Sequence, residues 1–358
     1  AVAGYGGQVT RPLALINAVA GVLPDEAARA KLAADPRVLR VDDDLVVRAV
    51  GEPDLPEAAA KPDKPGKPQP PRPSQSLPWG VDRIDADRVW GSATGKGVKV
   101  AIIDSGIDLD HPDLKDNVKG GINILNPAKS PDDDYGHGTH VAGTVAARYN
   151  TIGVVGVAPE AELYAVKVLN RAGFGWLSDI IAGLEWSVQN GMQVANMSIG
   201  GGGNDSYHDA IKAAHNKGIV IVAAAGNDGE NCPGDDCVNY PAAYPETIAV
   251  AASGDDGDPN NGDGDYIASF SSRGPEVDIT GPGVAVPSTW KGGGYRDGSG
   301  TSMATPHVTG VVALVIQAKD SPSPDEVKSL LKGTAERLEG YGDSQQGAGL
   351  VDAEAALR

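Results

Sequence analysis

Apolar positions divide the chain into two unequal parts. In the larger, C-terminal part, mainly apolar runs recur at 98–103, 163–169, 194–199, 219–225 and 248–252, interrupted only by Lys99, Lys167, Asn196 and Ser198. Runs of that length without polar alternation are the pattern of parallel strands covered on both faces. Helical periodicity occupies 137–147, 178–190, 205–217, 302–319 and 324–332. Strand and helix in turn predict an α/β fold with a doubly wound, mainly parallel sheet, in which ligands gather beyond the carboxyl ends of the strands.

The N-terminal part has a different rhythm. Residues 8–15 and 17–23 are strand-like, Pro24-Asp25-Glu26 opens a helix that runs to Ala33, and 38–50 returns as a strand, which predicts a small α+β domain. About fifty residues bury too little surface to be robust alone, so this piece is expected to lean on the larger one. Between them, residues 52–73 hold 8 of the 26 prolines and no aromatic residue, with Lys-Pro at Lys61, Lys64 and Lys67. Such a stretch reads as an extended spacer. The expected division is therefore a small domain at 1–51, a linker at 52–73 and a large domain at 74–358.

Composition narrows the classes. The chain has 358 residues, 41% of them apolar, and no apolar run approaches the roughly 18 residues of a membrane span. Lys and Arg number 30 against 48 Asp and Glu, a formal charge of −18, and residues 74–358 carry 20 basic against 38 acidic side chains. A surface of that sign argues against nucleic acid and anionic membranes as partners and attracts cations. The opening Ala1-Val2-Ala3-Gly4 has neither a basic n-region nor an apolar core, so any signal peptide is expected to have been removed. Cys232 and Cys237 are the only cysteines, in Cys-Pro-Gly-Asp-Asp-Cys. They read as a small disulfide loop from an oxidising compartment, with two thiols of a reducing one as the alternative.

Three segments carry candidate chemistry. Asp104 ends the first apolar run, where a carboxylate is either a cap or a site residue. Gly136-His137-Gly-Thr-His140 opens a helix with two of the six histidines, readable as a metal pair, as a base with a structural companion, or as packed core. Gly298-Ser-Gly-Thr-Ser302 places a serine at another helix start, with Pro306 shortly after it, where the dipole favours developing negative charge. A serine hydroxyl is a poor nucleophile near neutral pH and needs an imidazole to take its proton and a carboxylate to orient that imidazole. Asp104, His137 and Ser302 fill those roles together.

Asp104-Ser-Gly-Ile-Asp, His137-Gly-Thr-His-Val-Ala-Gly, Asn196-Met-Ser-Ile-Gly, Ala224-Ala-Gly-Asn227 and Gly300-Thr-Ser-Met-Ala-Thr-Pro-His resemble, in order, the signature segments of subtilisin-type serine peptidases over about 75–357. The resemblance implies a serine endopeptidase acting through an acyl-enzyme on Ser302. Asn227 would donate its amide to the oxyanion. Gly173-Phe174-Gly175 and Ser198-Ile199-Gly200 would flank an extended polypeptide substrate. Ala224, Ala225 and Gly226 would wall a main pocket for a bulky apolar side chain, with Asp228 near its rim, and Leu177 and Ile180 would line a distal apolar pocket. The alternatives of other classes are a catalytically silent peptide-binding protein of the same fold and a metal-dependent hydrolase using His137 and His140.

The resemblance further implies structural Ca2+. A tight site would draw on Gln75, Asp113 and Asn150 with the carbonyls of Arg148, Ile152 and Val154, and a weaker one on Asp278 with the carbonyls of Ala242, Tyr244 and Thr247. The run 255–265 is either an additional cation loop or a solvated acidic turn, and Asp132-Asp-Asp134 reads as a solvated run. Residues 1–51 resemble the family's inhibitory propeptide, although the strand and helix that usually precede the part matching Gly6-Gly7-Gln8 are missing or truncated, which implies weaker inhibition. The expectation is thus a secreted, monomeric zymogen whose own propeptide lies in the active-site cleft and is cut after Val50.

Overall fold

The computed structural model describes residues 1–50, 73–256, 264–320 and 322–358. The proline-rich linker falls almost wholly outside the described residues. The N-terminal piece pairs strands β1 (Gln8–Leu13) and β2 (Ala18–Val22) antiparallel, follows them with helix α1 (Glu26–Ala33), and ends in β3 (Val46–Ala49). Asp25 caps α1 by accepting the Ala28 N–H at 2.7 Å.

After a short helix α2 (Trp79–Arg83), the large domain runs β4 (Lys99–Asp104), β5 (Val118–Asn123), α3 (His137–Ala146), β6 (Glu162–Lys167), β7 (Phe174–Trp176), α4 (Leu177–Gln189), β8 (Val194–Met197), β9 (Ile199–Gly201), α5 (Asp205–Asn216) and β10 (Val220–Ala224). It continues with β11 (Thr247–Asp255), β12 (Asp265–Ile267), β13 (Ile279–Pro282), the hairpin β14 (Val286–Trp290) and β15 (Gly294–Gly298), α6 (Thr301–Ala318) and α7 (Pro324–Thr334). The central sheet has the order β12-β11-β10-β8-β4-β6-β5, with β13 also on β11. Every pairing in it is parallel except β12 on β11.

Alternation within the apolar runs sorts the core into two layers. Val100, Ile102, Val222 and Val250 pack with Val141 and Val145 of α3 and with α6, whereas Ala101, Ile103 and Ile221 pack with Ile180, Ile181 and Leu184 of α4 and with Ile211 of α5. Both faces of each strand are therefore covered, which is why the runs are mainly apolar.

The expected strand at 194–199 is two strands, because the chain leaves the sheet at Ser198. The expected strand at 38–50 pairs only at Val46–Ala49. Upstream of that point Asp42 and Asp44 take the start of two helices instead of joining a ladder. Asp44 accepts the N–H and hydroxyl of Ser178 in α4 at 2.9 and 2.7 Å, and Asp42 accepts those of Ser206 in α5 at 3.0 and 2.6 Å. These N–H groups lack partners within their own helices, and the helix dipole favours the carboxylates. Arg40 ties Asp42 to Asp209, and Arg11 bonds Asp179 at 2.8 Å and the Ile124 carbonyl at 2.9 Å.

Truncation in the shared core should be costly. Leu163 of β6 is fully buried, so Leu163→Ala is expected to destabilise the fold by about 2–5 kcal/mol. Denaturant unfolding of the variant, kept inert by a serine-directed inhibitor, checks this, and a loss below about 1 kcal/mol would contradict the packing described.

Candidate active site

The site forms beyond the carboxyl end of β4, where Asp104 is fully buried. His137 is the first residue of α3, and its Nδ1 lies 2.8 and 2.9 Å from the two carboxylate oxygens of Asp104. The helix can come this close only because residue 138 is glycine. A Cβ there would stand 2.1 Å from the Gly106 carbonyl and 3.1 Å from Asp104 Cβ.

Burial pulls the His137 imidazolium toward deprotonation. The charge and hydrogen bond of Asp104, aided by the charge of Asp133, outweigh that effect and hold its pKa above the ordinary imidazole value. The Nε2 atom of the same ring is buried and has no hydrogen-bond partner among the described residues.

Asp133 corrects the reading of 132–134 as a solvated run. It is buried and accepts the N–H groups of Tyr135, Gly136 and Thr139 and the hydroxyls of Thr139 and Ser105. Burial raises its pKa, against the pull of these bonds. Ser105 in turn accepts the Gly138 N–H at 3.0 Å, so one carboxylate organises both the start of α3 and the residue after Asp104. Buried Lys167 bonds the Ser105 carbonyl and reaches Asp134 at 2.6 Å.

His140 is a packed companion. Its Nε2 lies 3.0 Å from the carbonyls of both Val286 and Arg296, and burial followed by the proximity of His137 pushes its pKa down to about 3. With that nitrogen committed as a donor to carbonyls, and His137 Nδ1 committed to Asp104, the pair is not arranged as metal ligands. Among the described residues no group of three or more His, Cys, Asp or Glu side chains is gathered for a metal.

Ser302 is the second residue of α6 and is fully buried. Pro306 lies four residues on and has no N–H to offer the Ser302 carbonyl. That carbonyl takes the Ser198 hydroxyl instead, at 2.9 Å, and the Ser302 hydroxyl donates to the Ser198 carbonyl at 3.0 Å. Asn196 holds Ser198 in place through Nδ2 at 2.9 Å while its Oδ1 accepts the Thr309 hydroxyl at 2.8 Å. Asn227 Oδ1 accepts both the N–H and the hydroxyl of Thr301 at 3.0 Å, which fixes its amide orientation and leaves Nδ2 as a donor for other partners.

Strand β3 lies between β7 and β9, antiparallel to both. Val47 pairs with Gly175 and Gly201, Arg48 with Phe174 and Gly200, and Ala49 with Ile199. The Ala49 N–H reaches the Gly173 carbonyl at 3.0 Å, and the Val50 N–H reaches the Ser198 carbonyl at 3.3 Å, the oxygen that also accepts the Ser302 hydroxyl. Val47 is fully buried in the cluster that contains Leu177 and Ile180.

The side chain of Val50 packs on Gly200, where an added Cβ would meet its Cγ2 at 2.7 Å and Asn239 Oδ1 at 3.1 Å. Asn239 also closes on Gly226 and donates to Asp228 at 2.7 Å, which ties up the carboxylate expected at the pocket rim. Asn239 carries no motif signal; it is Asn-Tyr-Pro, just after the second cysteine. Cys232 and Cys237 form a disulfide, with Cα atoms 5.4 Å apart.

At the first cation position, Gln75 Nε2 faces three oxygens, those of Arg148 at 2.7 Å, Val154 at 3.2 Å and the Asn150 side chain at 3.4 Å. Asp113 accepts Asn150 Nδ2 and the Val154 N–H, and the Ile152 N–H bonds Asn150 Oδ1. An amide with two hydrogens stands before three acceptors, a cluster rich in oxygen and short of positive charge, which fits a hard cation.

The second position corrects the expectation. Asp278 is paired with Lys328 at 2.7 Å and Lys332 at 2.8 Å, and Lys328 also takes the carbonyls of Thr247 and Pro245. The carbonyls of Ala242 and Tyr244 accept the Thr247 hydroxyl. Ammonium groups occupy the charge-compensating role there. Residues 257–263 of the acidic run lie outside the described residues, and at its end Asp265 is bonded to Arg83.

The profile of the subtilase family matches residues 95–349. Subtilisin E of Bacillus subtilis (strain 168) is 42% identical over 357 residues, covering 99% of this chain and 84% of its own length. Subtilisin Savinase of Lederbergia lenta is 47% identical over 287 residues, 80% of this chain and 100% of its own length, and M-protease of Shouchella clausii (strain KSM-K16) is 47% identical over 288 residues. The chain belongs to the subtilase family and is a serine endopeptidase.

Proposed function

We propose that this subtilase is a secreted, monomeric, calcium-stabilised endopeptidase that is made as a zymogen and cuts itself after Val50. The observation that carries the reading is the shared Ser198 carbonyl, which accepts both the Val50 N–H and the Ser302 hydroxyl and so brings the end of an extended strand to the serine.

In this reading the Ser302 hydroxyl turns from Ser198 to Nε2 of His137, which accepts its proton as Oγ attacks the carbonyl carbon. Asp104 holds the ring with Nδ1 protonated and stabilises the imidazolium. The oxyanion takes hydrogen bonds from Asn227 Nδ2 and from the Ser302 N–H, unsatisfied at its helix start. His137 then gives the proton to the leaving amine, and water attacks the acyl-enzyme by the same route. Substrate strands bind as β3 does, by backbone pairing with Gly173, Phe174, Gly175, Ser198, Ile199 and Gly200. Ala224, Ala225 and Gly226 wall the main pocket; in place of the expected room for a bulky apolar side chain, Asn239 closes on Gly200 and Gly226, so apolar side chains up to moderate size fit best.

Residues 1–51 act as the propeptide, with β3 in the cleft and further anchors outside it at Asp42 and Asp44. The Cys232–Cys237 disulfide supports an oxidising, extracellular setting. No helix among the described residues is long and apolar enough to cross a membrane. Gln75, Asp113 and Asn150, with the carbonyls of Arg148, Ile152 and Val154, would hold Ca2+, whose role is to neutralise their converging oxygens and tie the N-terminal side of the domain to this loop.

Three outcomes test the proposal. Wild-type protein incubated alone should acquire Gly51 as its first residue by N-terminal sequencing, whereas Ser302→Ala should remain whole at 36.6 kDa and lose about 10⁶ in turnover, the loss subtilisin itself shows for its serine. For Asn227→Ala the expected loss is about 10²–10³, again the magnitude known for subtilisin.

The base must be neutral, so kcat/KM should rise with pH through a midpoint above the ordinary imidazole value of about 6.5. Asp133→Asn removes a charge that favours the imidazolium and should move this midpoint to lower pH. A midpoint unmoved by that variant would remove Asp133 from the electrostatics of the site.

Chelation should lower the thermal midpoint by several degrees in wild type. It should have no further effect in Asp113→Asn, which calorimetry with and without added calcium distinguishes.

A further inference from the structure

Along β3 the side chains alternate, with Val47 buried and Arg48 exposed. Arg48 stands directly across from Phe174 in the antiparallel register, and its guanidinium carbon lies 5.5 Å from the centre of the phenyl ring. Among the described residues the guanidinium makes no ion pair. Phe174 is one of the large apolar side chains the fold leaves exposed, at 40% of its surface, at the lip of the cleft. Its backbone is pinned by a tight turn in which the Asn170 N–H bonds the Phe174 carbonyl at 2.8 Å, so the ring is held beside the cleft.

We infer that the ring of Phe174 is a receptor for a cationic side chain on the third residue before the cut bond, so that polypeptides with Arg or Lys at that position are favoured substrates. The inference rests on the cleft register proposed above, in which Val50 precedes the bond, Ala49 is second and Arg48 third. The physical basis is the attraction of a cation to the negative face of an aromatic ring, strongest for a planar guanidinium. The side chain at this position points away from the enzyme core, so no buried pocket competes with the ring for it.

The test uses mature enzyme and two fluorogenic peptides that end in Ala-Val before the reporter and differ only at the third residue, Arg in one and the neutral isostere citrulline in the other. Assays are run in about 1 M salt, where the Debye length of about 3 Å screens long-range attraction to the acidic surface. Wild type is expected to prefer the Arg peptide by about two- to five-fold in kcat/KM. Phe174→Leu should bring the ratio to about one, and Phe174→Trp should raise it. Taking the ratio within each enzyme cancels any general change in turnover. A ratio of about one in wild type, or one unchanged in Phe174→Leu, overturns the role of the ring while leaving the protease reading intact. Failure of wild type to release the reporter from either peptide overturns the cleft register and the inference with it.

Discussion

Strands β7 and β9 run alongside one another without pairing, and each leaves a row of backbone donors and acceptors facing the gap between them. Only a third extended segment can satisfy both rows at once, because backbone groups removed from water need partners. This constraint governs the rest of the site. It fixes the direction of the bound strand, places Val47 in the apolar cluster and Arg48 outside, and brings the Val50 N–H to the Ser198 carbonyl. The position of β9 relative to Ser302 is in turn set by a single missing donor. Because Pro306 cannot bond the Ser302 carbonyl, Ser198 does, and the exchange of hydrogen bonds between the two serines ties the cleft to the start of α6.

Charge is handled differently at each buried position, and the differences follow from what faces it. Asp104 and Asp133 both lie at the mouth of α3, but one meets an imidazole while the other meets backbone N–H groups and hydroxyls. The first can share a proton's charge during a reaction; the second serves to fix the loop and helix from which the imidazole projects. The two cation positions diverge in the same way. At Gln75 and Asp113 the side-chain donors among the described residues are neutral amides and the Tyr295 hydroxyl, so a bound ion has something to gain. At Asp278 two lysines are already in place, and a metal ion would have to displace them.

The sheet and the segments that carry Asp104, His137 and Ser302 were legible in the sequence because their signals are local. A mainly apolar run ending in Asp104 names its own strand, and helix starts carry His137 and Ser302 within short glycine-rich segments. Strand β5 was missed because Gly120 and Gly121 interrupt the apolar pattern on an edge strand that is largely exposed. The part played by Asp133 depends on burial by segments remote in sequence, and three consecutive aspartates look solvated until the fold covers the middle one. Lys328 and Asn239 were likewise invisible as site residues, since what makes each significant is a partner brought near by folding. In the N-terminal piece, Asp42 and Asp44 stopped the expected long strand, an outcome that alternation alone cannot foresee because the competing partners belong to α4 and α5.

Under the propeptide role proposed above, these aspartates would let one segment be both substrate and inhibitor. Strand β3 alone offers the cleft only what any extended polypeptide would offer, and if the bond beyond Val50 is cut as proposed, nothing in that strand would distinguish it from other products. Its retention must come from contacts outside the cleft. Asp42 and Asp44 on two helix starts, Arg40 on Asp209, and Arg11 on Asp179 are all of that kind, and none of them involves the cut bond. The proposed cleavage would leave them in place, so the segment would stay bound by anchors that a free peptide lacks. On the same proposal, inhibition would end by loss of the anchoring fold, through unfolding or digestion of the N-terminal piece, whose marginal size makes such an end accessible.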